Sequence, residues 1–92
     1  MKKYNFVNLR SINKDLPDKN ILDNIKIGDK LSFYIETPKK DCFEKVEVIV
    51  LRVENEDLTG KIDSLLYFGN SHGLFLDSII DFKKENIYSI ES

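Results

Sequence analysis

Only one cysteine and one histidine, Cys42 and His72, are available to this chain for nucleophilic or metal chemistry. Cys42 follows Asp41 and precedes His72 by thirty residues, so the residue types of a thiolate pair are present. A nucleophilic cysteine also needs a base within hydrogen-bond reach, a group to orient that base, and donors for the oxyanion. Nothing in the spacing signals these, and the simpler reading makes Cys42 a small, half-buried apolar residue. Zinc sites use several ligands in close pairs such as C-x2-C or H-x3-H, which one Cys and one His do not make. Glu54, Glu56 and Asp57 crowd one turn. They lack the calcium-loop pattern and read as a solvated hairpin tip. The expectation is a non-enzyme with no metal and no cofactor.

Two other clusters are better suited to binding than to catalysis. Tyr67-Phe68-Gly69-Asn70-Ser71-His72-Gly73 has two glycines but no Lys-Ser/Thr pair behind them, and it leads into a strand, so it is not a phosphate loop. It reads as a long turn with Tyr67 and Phe68 tucked beneath it, or as a loop that presents aromatic and hydrogen-bonding groups to a partner. Its candidate binding residues are Tyr67, Phe68, Asn70, Ser71 and His72. Lys39 and Lys40 end a strand near Lys45, and Tyr34 falls on the wet face of that strand. A cationic groove with stacking rings is the chemistry of single-stranded nucleic-acid sites. Here Glu36, Asp41, Glu44 and Glu47 interleave with the lysines, so Tyr34, Lys39 and Lys40 form a weaker second candidate. Lysines that keep an edge strand from pairing with another chain are the simpler account.

The elements that must position these residues are mostly strands. Tyr4 to Leu9 has β-type composition and reads as a first strand laid on the edge of the sheet. Leu16-Pro17-Asp18 precedes Ile21, Leu22 and Ile25, a spacing that predicts a short helix capped by Asp18, with Gly28 just past its end. Leu31, Phe33 and Ile35 alternate with Ser32, Tyr34 and Glu36, which gives one core face and one wet face. Phe43 to Val53 is a long strand, apolar on both faces at Val48 to Leu51 and expected to bend under cover on both sides. It returns through the loop Glu54-Asn55-Glu56-Asp57 into Leu58-Thr59-Gly60-Lys61-Ile62, where Gly60 signals a bend or a close backbone approach. Residues 63–73 read as the longest irregular connection. Leu74 to Ile80 resumes the sheet, Asp81 to Glu85 makes one helical turn, and Ile87 to Ile90 closes with a short strand. Over about residues 27–91 this order is similar to that of SH3-like and Sm-like small barrels. The expected fold is therefore mainly β with one short helix: a small SH3-like or Sm-like barrel, or a curled antiparallel sheet of five or six strands.

Composition sets the remaining bounds. Ninety-two residues, 41% apolar and 33% charged, are expected to fold as one domain without a metal or disulfide. Within it, residues 1–28 form a basic arm carrying the helix and residues 29–92 a barrel-like core. Ala, Gln and Trp are absent while Ile, Asn, Lys and Asp abound, an inventory that favours strands and fits AT-rich coding. Met1-Lys2-Lys3 is not followed by the apolar run of a signal peptide, and no apolar stretch is long enough to span a bilayer, so the cytoplasm is the expected compartment. The net charge of −2 divides as +3 over residues 1–30 (seven basic, four acidic), −3 over 31–60 (four, seven) and −2 over 61–92 (three, five). A mildly acidic majority disfavours sequence-independent nucleic-acid binding. The leading expectation is an interaction module for a larger protein, such as a phage- or plasmid-encoded inhibitor or regulator of a host immune effector. The alternatives are an Sm-like or SH3-like nucleic-acid binder and a small-ligand or nucleotide-sequestering oligomer. A homodimer formed through strand edges fits any of the three.

Overall fold

The computed structural model describes residues 4–7, 17–39 and 42–91. Five antiparallel strands form one sheet: β1 (Lys30–Glu36), β2 (Phe43–Glu54), β3 (Asp57–Ile62), β4 (Ile79–Lys83) and β5 (Ser89–Glu91). Their order across the sheet is β4-β3-β2-β1-β5, and it does not close into a barrel. Two short helices accompany it, α1 (Lys19–Asp23) and α2 (Gly69–His72), with a 3-10 turn at Lys84–Asn86. The mainly-β expectation holds, in its curled-sheet form.

Alternation decides what the sheet buries. Leu31, Phe33 and Ile35 on β1 pair with Val48, Val46 and Glu44 on β2, and this row faces the core. Leu58, Gly60 and Ile62 on β3 and Ile80 and Phe82 on β4 continue it. Flat neighbouring strands would hold β1 and β4 about 14 Å apart, at roughly 4.8 Å per step. The Phe33 and Phe82 rings nevertheless meet at 5.1 Å between centroids, so the sheet curls until its first and fourth strands share a core. Residues Tyr4–Val7 lie along β1 beyond β5, through a bridge from Phe6 to Ile35, and Phe6 adds its ring edge-on to Phe33.

The bend in β2 comes from a bulge. Val50 pairs with Gly60 and Arg52 with Thr59, which leaves Leu51 as the extra residue. Leu51 is exposed and Ile49 half-buried, so the expected cover on both faces of Val48 to Leu51 is absent; the apolar run continues through the bulge, not through a second buried face. Gly60 is needed for packing: a Cβ there would stand 3.1 Å from Phe82 Cε1 and from Val48 Cβ.

Other boundaries differ from the expectation. The β2–β3 turn is two residues, Asn55 and Glu56, because Glu54 and Asp57 pair, and Asn55 takes the positive φ of 56° that the tight turn requires. Strand β4 starts at Ile79, not Leu74, and runs through Lys83 before the helical turn, since Asp81 and Lys83 occupy the wet positions of a strand. Asp18 caps α1 by accepting from the Ile21 N–H, but Asn24, not Gly28, ends it. No residue of α1 is fully buried; Ile25, just past it, is the one that enters the core. Of the first-strand reading, residues 8 and 9 lie outside the described residues.

Candidate interaction surface

The excursion from β3 to β4, residues 63–78, is tied down at both ends and in the middle. Asp63 N–H donates to the Glu47 carbonyl at 2.8 Å, and Glu47 N–H donates to Ser64 Oγ at 3.2 Å. At the far end Asp77 N–H donates to the Ile62 carbonyl and Phe75 N–H to Ser78 Oγ, both at 2.9 Å. Between them, α2 ends at Gly73, whose φ of 73° and N–H to the Gly69 carbonyl close a left-handed cap. Gly69 leaves no room for a side chain, since a Cβ would lie 2.8 Å from the Leu74 carbonyl oxygen.

Glu44 is the central anchor, and the sequence reading treats it only as a surface acid. It stands in the core-facing row of β2, opposite Ile35, and is 7% exposed. Its carboxylate accepts from the Tyr67 N–H at 2.5 Å, from the Phe68 N–H at 3.1 Å and from His72 Nε2 at 3.1 Å. A buried carboxylate is tolerated when donors surround it, and here two backbone amides and a ring N–H do so. The available signal was phase: Glu44, Val46, Val48 and Val50 fall on one face of a strand, so a carboxylate there had to find partners inside.

The candidate residues separate accordingly. Tyr67 projects into solvent, 98% exposed, directly from a backbone N–H fixed on Glu44. Phe68 is half-buried beside His72, and Asn70 and Ser71 are exposed on α2. His72 is 2% exposed and acts from inside, holding the carboxylate that holds the loop. Its partner is Glu44 and not Cys42, which is half-buried and whose carbonyl accepts from the Thr37 hydroxyl. Leu65, Phe75 and Leu76 are exposed apolar side chains of the same excursion that the sequence reading did not single out.

The second candidate cluster does not join the first. Tyr34 lies on the opposite face of the sheet, half-buried, with its ring edge-on to Tyr88 at 4.8 Å, so it is not a free stacking platform. Lys39 is exposed past the end of β1, and Lys40 lies outside the described residues. On that same face Lys30 bridges Glu47 at 3.3 Å and Asp63 at 3.4 Å, and hydrogen bonds to the two carboxylates raise its ammonium above its ordinary value.

A groove of about 560 Å³ opens between β4 and the segment Tyr4–Val7. Its apolar lining is Phe6, Leu58 and Phe82. On its rim Arg52 pairs with Glu54 and Lys83 with Asp57, which leaves Asp81 and Glu85 without a cation among the described residues. Among the described residues no cluster of His, Cys, Asp and Glu is arranged to hold a metal, and no helix is long and apolar enough to cross a membrane. Comparisons with protein-family models, characterised proteins and solved structures find no match to this chain.

Proposed function

We propose that this protein is a non-enzymatic interaction module that binds a larger protein through the β3–β4 excursion. The observation that carries this reading is Tyr67, which is 98% exposed while its backbone N–H is pinned to a buried carboxylate. A large aromatic side chain on a rigid backbone is the usual anchor of a protein interface: it brings contact area and loses little freedom on binding. Leu65, Phe75 and Leu76 supply exposed apolar surface on the same excursion. The module acts by occupancy, covering a site on its partner. For a chain encoded by an AT-rich phage or plasmid, the partner is a host effector and the outcome is inhibition.

The test is affinity purification from lysate of a low-GC bacterium, before and after nuclease treatment, run in parallel with wild type and Tyr67→Ala. A stoichiometric protein held by wild type and lost by a Tyr67→Ala variant of unchanged melting temperature is the expected result. Equal capture by both, or nucleic acid as the sole retained species before nuclease, would sink the reading.

A further inference from the structure

The sheet ends at β4 on one side and at the three-residue β5 on the other, and the longer of these edges, β4, has no strand beyond it among the described residues. The β3–β4 ladder is flanked by Ile62 N–H to the Ser78 carbonyl and Lys84 N–H to the Glu56 carbonyl. Alternate residues of an antiparallel strand face opposite edges, so Ile80 and Phe82 turn their backbone groups to β3, while Ile79, Asp81 and Lys83 turn theirs away. Asn86 Oδ1 accepts from the Lys83 N–H at 2.8 Å, which caps that end. The N–H and C=O of Ile79 and Asp81 have no partner among the described residues.

The groove lies beside the Asp81–Lys83 part of this edge, where a further strand would continue the sheet. Strands β1 to β4 alternate in direction, and Tyr4–Val7 runs antiparallel to β1, so this segment and β4 run the same way. A strand running opposite to both pairs antiparallel with each. On the core side it meets Phe6, Leu58 and Phe82; on the outer side it passes Asp81, with Glu85 at the rim.

We propose that the β4 edge binds an extended segment of a partner protein in which apolar side chains facing the groove alternate with Lys or Arg facing Asp81 and Glu85. Main-chain hydrogen bonds to Ile79 and Asp81 supply affinity, and the alternation supplies selectivity. Charge complementarity selects this occupant: among the described residues the two cations of the rim are already matched, and the surplus is two carboxylates. The inference rests on the interaction-module reading but uses a surface other than Tyr67, so each stands or falls by its own variants.

The probe is an acetylated, amidated heptapeptide of alternating lysine and valine. Its controls are the glutamate–valine counterpart and the lysine peptide N-methylated at every second residue. With isotope-labelled protein, the expected result is that the lysine peptide alone shifts the Ile79 and Asp81 amide resonances and slows their hydrogen exchange about tenfold or more. Ile79→Pro removes an N–H that the ladder does not use, so it keeps its melting temperature and loses the response. No response at millimolar peptide, or an equal response to the glutamate or N-methylated peptide, overturns the proposal. So does protection of these two amides in the free protein, which shows the edge already covered by this chain or a second copy.

Discussion

The rigidity of the Tyr67 display rests on Glu44. Replacing it with Ala leaves the buried His72 ring N–H without its acceptor and takes the same acceptor from the part-buried Tyr67 and Phe68 amides. At roughly 1–3 kcal/mol for an unsatisfied buried group, with part recovered by relaxation, Glu44→Ala is expected to cost about 3 kcal/mol in denaturant unfolding. Glu44→Gln keeps one acceptor oxygen and is expected to cost about 1 kcal/mol. Equal losses for the two would show that volume, and not the hydrogen bonds, is what Glu44 supplies. Tyr67→Ala removes only exposed surface and leaves stability within about 0.5 kcal/mol, so its effect is confined to binding.

At the scale of the elements, glycines mark where chain segments meet most closely. Ala at Gly60 pushes a methyl against Phe82 and Val48, where the curled sheet brings β3 under the core, and is expected to cost about 1–3 kcal/mol in thermal or chemical unfolding. Ala at Gly69 meets a backbone carbonyl that cannot swing away, so it disturbs α2 and the Tyr67 display together. An unchanged melting temperature for Gly60→Ala would mean that the Phe82 ring gives way and the curl is looser than described. The strands were legible because period-2 alternation is a local signal: Leu31, Phe33 and Ile35 mark β1 without knowledge of the rest. The extra residue in β2 was not, because whether Leu51 pairs or is skipped is decided by Gly60 across the hairpin. The loop from Tyr67 to His72 was legible as a candidate site. Its anchor was not, because Glu44 is twenty-three residues before Tyr67 and meets it only once β2 and the excursion are folded together.

At the scale of the whole molecule, two long-range ties are sensitive to alkaline pH, and their sign can be worked out. Tyr4 packs edge-on against the groove-lining Phe6 with its phenol pushed above its ordinary value of 10.0, first by burial and then by the Asp81 carboxylate. Lys30, ordinarily 10.5, is raised by its hydrogen bonds to Glu47 and Asp63, which join β1, β2 and the start of the excursion. A group with a raised folded value holds its proton in the folded chain after the unfolded chain has lost it, so stability falls as pH rises through that interval. Both contributions are therefore complete below about pH 10 and are lost above it, the first as an uncharged Tyr4 is forced to ionise near Asp81, the second as the Lys30 ammonium discharges. Melting temperatures measured from about pH 8 to about pH 11 are expected to hold level and then drop. Tyr4→Phe should make the drop shallower because its ring stays apolar at every pH; Lys30→Met should lower stability at neutral pH and also flatten the alkaline slope, since the bridge is already gone. If Tyr4→Phe reproduces the wild-type slope, Tyr4 is not held against Asp81, and the amino-terminal segment does not form the wall of the groove opposite β4.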